Sequence, residues 1–111
     1  MSNDFKPYYA VIFTSTQNET IEGYSEMANK MEALAKQQDG YLGMDSAREH
    51  VGITISYWES LDAIRNWKQQ SDHLQAQLKG RSEWYSWYHV RICKVEREYE
   101  FKTSSTPISR Y

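Results

Sequence analysis

The 111-residue sequence predicts an α+β fold, and three observations carry that reading. Short apolar runs of strand-forming residues lie near both ends and in the middle. Two longer stretches repeat their apolar residues every three or four places, and polar or glycine-bearing connections separate the pieces.

The first run is "YYAVIFT", Tyr8 to Thr14, short enough to be a strand and rich in strand formers. After the polar loop "STQNE", Ile21, Tyr24, Met27, Ala28, Met31, Leu34 and Ala35 form one stripe of an amphipathic helix over Thr20 to Gln38. Glu19 and Glu22 suit the positive end of its dipole, and Asp39-Gly40 ends it. "YLGMDSARE" and "VGITISYW" read as two strands joined tightly around Glu49-His50. Ser60 is placed to cap a second helix, with Asp62 in its first turn. That helix carries Leu61, Ile64 and Trp67 on one side. Ser71 or Asp72 could cap a further short helix, so a break is expected near residues 70–72, with Gly80 closing the second piece. Trp84 to Phe101 is a last, long strand.

The order β-α-β-β-α-β is the ferredoxin-like arrangement, with both helices on one face of an antiparallel sheet. It makes one domain of residues 1–111, with its core at about 8–101 and a polar tail over 102–111. A sheet with water on its second face should alternate apolar and polar residues. "YYAVIF" is apolar at every position. The last strand has Tyr88, Val90 and Ile92 at even positions but Val95, Tyr99 and Phe101 at odd ones. Either a bulge lies near Cys93 or the strand is covered on both sides. A second copy of the sheet would supply that cover, which predicts a homodimer.

Composition excludes several classes. The formal charge is -2, with no basic run, which disfavours nucleic acid and acidic membrane surfaces as partners. No apolar stretch is long enough to span a bilayer. A single cysteine, Cys93, and no leader-like N-terminus fit a soluble, cytoplasmic protein, and Cys93 reads as a small buried residue. No Gly-rich phosphate loop, glycosidase-like carboxylate pair or metal-ligand cluster is visible. The unusual figure is 14% aromatic, with nine tyrosines and four tryptophans. Much of it sits in "RSEWYSWYHVRIC". Strand alternation sends Trp84 and Tyr88 to one face, Tyr85 and Trp87 to the other. One pair would meet helices or a pocket, the other a subunit boundary.

"YYAVIF", "YWESLDAIRNWKQQSDHLQAQLKGRSEWY" and "RICKVEREYEF" resemble the antibiotic biosynthesis monooxygenase (ABM) family, above all in Tyr57-Trp58-Glu59-Ser60, Ala63-Ile64, Trp67, His73 and Ala76. The likeness runs from about Tyr8 to Phe101. It implies a ferredoxin-like fold pairing as a dimeric α+β barrel, with a cavity between sheet and helices bounded by the second helix. Some members oxidise phenolic or quinol substrates without metal or flavin, some bind and open haem, and many have no assigned activity.

In that setting His73 is the candidate base, turned to solvent by an unbroken helix and inward by a broken one. Trp67 is core packing or one wall of a slot for a flat molecule. Trp84, Tyr88 and Arg65 are candidate substrate contacts, and Arg48 or Arg65 could steady a phenolate. His89 could point into the dimer barrel, and His50 is a solvated turn residue. The resemblance implies a cofactor-independent monooxygenase acting on a small aromatic phenol or quinol. The alternative is a non-catalytic ligand-binding or stress-related dimer. Haem is disfavoured: haem-degrading relatives use an asparagine in the first strand and a histidine about three turns after the tryptophan. Here the first strand lacks asparagine and Gln77 stands ten residues after Trp67. RNA binding would need a basic surface and a Lys/Arg-Gly-aromatic signature, and neither is present.

Overall fold

The computed structural model describes residues 5–77 and 84–103. Its elements are β1 (Tyr8–Gln17), α1 (Tyr24–Lys36), β2 (Tyr41–Arg48), β3 (Gly52–Trp58), α2 (Leu61–Gln77) and β4 (Tyr85–Val95). The expected end of the second helix at Gly80 and the tail from residue 104 lie outside the described residues. The four strands form one antiparallel sheet in the order β2-β3-β1-β4. Each β-α-β crossover therefore skips one strand, which is the ferredoxin-like topology.

Both helices pack on the same face. Ala35 of α1 and Ala63 and Ile64 of α2 bury against Trp58, with Tyr9, Val11, Tyr41, Met44 and Trp67 around them. Register then assigns every strand residue to a face, because directly paired residues share one. The helix side carries Tyr9, Val11, Phe13 and Ser15 of β1, opposite Trp58, Ser56, Thr54 and Gly52 of β3 and Lys94, Ile92, Val90 and Tyr88 of β4. The open side carries Tyr8, Ala10, Ile12 and Thr14 with Tyr57, Ile55 and Ile53, and with Val95, Cys93, Arg91 and His89.

Local chemistry explains the element ends. Gly23 takes φ +84°, outside the helical region, so α1 begins at Tyr24 rather than at Thr20. Ser60 caps α2, its Oγ accepting the Ala63 N–H at 3.0 Å. The expected break at residues 70–72 is absent: α2 is continuous from Leu61 to Gln77. Its two supposed caps bond backwards instead. Ser71 Oγ donates to the Lys68 carbonyl at 3.1 Å, and Asp72 pairs with Lys68 at 2.8 Å, an i,i+4 contact that supports a helix.

Strand β4 also ends earlier than expected, at Val95 rather than Phe101. Val95 pairs with Tyr8, and the residue before Tyr8 is Pro7, which has no N–H to continue the ladder. Residues 96–103 leave the sheet, with Tyr99 and Phe101 exposed. No bulge occurs near Cys93, so both faces of β4 carry apolar residues. Cys93 is exposed on the open side, not buried.

Candidate functional site

Tyr88, Val90 and Ile92 point to the helix side, as alternation predicts, but they are not buried. They are 37%, 43% and 53% exposed. The reason is where α2 lies. Its N-terminal part is drawn towards β3, where Ala63 approaches Gly40 so closely that a Cβ at 40 would stand 2.7 Å from the Ala63 Cβ. Further along, Trp67 stacks on Trp58 at 5.7 Å and 23°. The β1–β4 side of the sheet is left as an apolar floor beside α2. From Tyr88 to Lys94 it runs about 20 Å at the strand rise of ~3.4 Å per residue.

Aromatic rings crowd one end of this floor. Phe13 stacks on Tyr88 at 5.2 Å and 15° and meets Tyr85 at 5.3 Å. Tyr85 in turn meets Tyr88 edge-on at 5.9 Å and Tyr24 of α1 at 5.8 Å. Tyr85 and Tyr88 share a face, contrary to simple alternation. The β1–β4 register shifts between Thr16 and Gln17: Trp87 pairs with Thr16 and Tyr85 with Gln17, leaving Ser86 as a bulge. Trp87 alone of that group faces the open side, in edge contact with His89 at 6.2 Å.

Beside these rings lies Arg48, which crosses two strands. Its Nη2 donates to Ser15 Oγ at 2.5 Å, and its guanidinium stands 5.9 Å from the Tyr24 ring centre. It lies directly over Gly52, where a Cβ would come within 2.1 to 2.5 Å of three guanidinium atoms. The opposite end of the floor opens into a depression of about 600 Å³ lined by Lys6, Tyr9, Glu59, Asp62, Arg65 and Lys94 among others.

The sequence-predicted residues therefore divide. Tyr88 is part of the ring cluster, and Trp67 stands over the core beside the floor, half-buried. Arg65 is at the far end, exposed and paired with Asp62. Trp84 is buried beneath the start of α1, its Nε1–H donating to the Glu22 carbonyl at 2.9 Å, so its polar group serves the fold. His73 is exposed on the unbroken helix, about 120° round from Trp67 at 100° per residue. Arg48, expected as a cation that could steady a phenolate, stands at the ring-lined end with Tyr85, and the missed residues are Phe13, Ser15 and Tyr24. A signal for the seat of Arg48 was Gly52 directly across the hairpin from it, a strand position with room for a crossing side chain.

The open side has its own polar pairs. Tyr57 Oη donates to Asp45 at 2.9 Å, and Tyr8 Oη donates to Glu98. The Glu98 carboxylate, as acceptor of that hydrogen, pushes the Tyr8 phenol up to about 12, with a smaller contribution from burial. Burial first and Asp45 second raise Tyr57. Among the described residues no cluster of His, Cys, Asp and Glu could hold a metal ion, and no helix is long and apolar enough to cross a membrane.

A ferredoxin-like sheet with helices on one face and an exposed apolar floor beside the second helix defines a small α+β scaffold of the ferredoxin-like class. The chain belongs to the antibiotic biosynthesis monooxygenase family, whose profile matches residues 7–79. It is 48% identical over 101 residues to the uncharacterised protein YqjZ of Bacillus subtilis (strain 168), covering 89% of each chain. Among solved structures it is similar to a variant of SnoaB, a cofactor-independent oxygenase from Streptomyces nogalater. The TM-score is 0.63 at 16% identity, covering 92% of this chain and 97% of that one. It is also similar to PA3566 from Pseudomonas aeruginosa, with a TM-score of 0.62 at 18% identity, covering 83% and 95%. At these identities the structural likeness speaks for the fold.

Proposed function

We propose that this protein is a cofactor-independent monooxygenase that binds a flat, electron-rich phenol or hydroquinone on the β1–β4 floor, and that it works as a homodimer. The observation that carries the reading is the exposed apolar run Tyr88, Val90 and Ile92 beside the Phe13–Tyr85–Tyr88 rings. Such a surface suits the faces of an aromatic molecule. Membership of a monooxygenase family and the fold shared with SnoaB support it.

The reaction balances without a further reductant. A phenol with a free ring C–H, plus O2, gives the quinone and one water: the ring loses two hydrogens and gains one oxygen. Ionising the phenol raises electron density on the ring, and O2 accepts the electrons. The protein binds the ring and fixes its orientation. His73, exposed and about 120° round α2 from Trp67, is not a direct base in this reading. The phenolic proton leaves through water at the open edge of the floor.

The open face supports the dimer. Ile53 and Trp87 are 42% and 48% exposed there, beside Ile12, Ile55 and Cys93. A second sheet packed on it removes this apolar surface from water.

Oxygen uptake with simple naphthalene diols tests the activity. An Ile92→Asp variant should abolish it, while His73→Ala retains it within about twofold. Tight binding without oxygen uptake would instead favour a non-catalytic ligand carrier. Sedimentation should give twice the 13.1 kDa chain mass; a 13.1 kDa species alone would refute the dimer.

A further inference from the structure

We infer that Arg48 is a carboxylate-recognition site at the ring-lined end of the floor, so that the preferred ligand is an aromatic acid rather than a neutral phenol. This rests on the floor being the aromatic site, as proposed above, and adds the charge of its ligand.

Arg48 is half-buried, and its contacts are the single hydrogen bond to Ser15 and the ring of Tyr24. No carboxylate pairs with it among the described residues. A guanidinium carries five N–H donors in a planar fork that matches a carboxylate. One is used by Ser15, so the fork is held in place with donors to spare. Placing a cation in a half-buried position without a counter-charge is unfavourable, and a bound anion relieves it.

Position agrees with this. Ser15 pairs directly with Tyr88. The guanidinium, over Gly52 on β3 and bonded to Ser15 on β1, therefore lies two strand spacings, roughly 10 Å, from the strand that carries the stacked ring, within the reach of a two-ring acid. Tyr24 touches both Arg48 and Tyr85, joining the cation to the ring cluster. The cations at the other end of the floor are less suited. Arg65 is exposed and already paired with Asp62, and Glu59 lines the same depression as Lys6 and Lys94.

Gly52 supplies an independent handle. Any Cβ there would collide with the guanidinium, which has to move by an ångström or more to regain ordinary contact at about 3.5 Å. Gly52→Ala therefore displaces Arg48 from its seat and leaves the net charge unchanged.

The test is tryptophan-fluorescence titration of the parent protein with 1-hydroxy-2-naphthoate and with 1-naphthol at pH 7.5. The naphthoate should bind about tenfold or more tightly, the scale of a charge-assisted hydrogen bond. Arg48→Gln should bring the two ligands within about twofold of each other while 1-naphthol binding stays the same. Gly52→Ala should do likewise, and Arg65→Gln should leave the preference intact. Equal binding of both ligands by the parent overturns this inference alone. Survival of the preference in folded Arg48→Gln and Gly52→Ala, or its loss in Arg65→Gln, also overturns it. Failure of both ligands to bind removes the aromatic-floor reading as well.

Discussion

On the helix side of the sheet, Trp58 of β3 and Ile92 of β4 are both apolar, in neighbouring rows, but end in opposite surroundings. Trp58 is 0% exposed, under α2 and against Tyr41 and Trp67. Ile92 is 53% exposed two strands away. The difference does not come from residue type, since both would gain by burial. It comes from the anchoring of α2 over β3 by the Gly40–Ala63 approach and the Trp58–Trp67 stack. Hydrophobic pattern says which side of a strand seeks cover; helix placement decides which part of that side receives it.

The sharpest way to break this contrast is to remove its buried half. Trp58→Ala should cost about 3–5 kcal/mol, read from the denaturation midpoint, because it leaves a cavity and an unpartnered Ser56 hydroxyl. Gly40→Ala should cost roughly 1–3 kcal/mol by the same measurement. The new methyl meets Ala63, and the φ of +87° disfavours any residue with a Cβ. On the uncovered half, Ile92→Ala should cost less than about 1 kcal/mol yet weaken naphthol binding several-fold. A large stability loss there would mean that Ile92 is covered in solution.

The smallest effect belongs to the open face. The Tyr8 phenol titrates at about 12 in the folded chain against about 10 unfolded. The folded state therefore holds this proton more firmly. The associated stability is complete below about pH 10 and is lost as pH rises through 12. Tyr8→Phe should remove this small contribution at neutral pH and flatten the alkaline limb of the stability curve.

The six elements and their order were legible because both helices have a clean period and the strands are short apolar runs bounded by polar or glycine-bearing turns, and Ser60 announced its cap. The unbroken α2 was not. Ser71 and Asp72 have the chemistry of caps, and only the presence of Lys68 one turn earlier turns them into helix supports. The exposed position of His73 follows from that continuity. Of the site, the strand parity of Tyr88, Val90 and Ile92 was readable and their exposure was not. Arg48 was readable as a candidate cation, but its seat on Ser15 was not, because its length lets it act two strands from its own backbone. The Tyr85–Tyr88 pairing escaped because alternation is counted in residues, and the bulge at Ser86 changes the count.

That bulge has a consequence for how the surface diversifies. With Ser86 present, Tyr85 and Tyr88 meet on one side and Trp87 stands on the other. Were Ser86 instead paired with Gln17 in a regular ladder, Tyr85 would turn to the opposite side, away from Phe13 and Tyr24. The bulge at one point of β4 thus acts as a selector for which rings reach the apolar floor. Absorbing it into the ladder would remodel that surface with no change in the amino acids that make it.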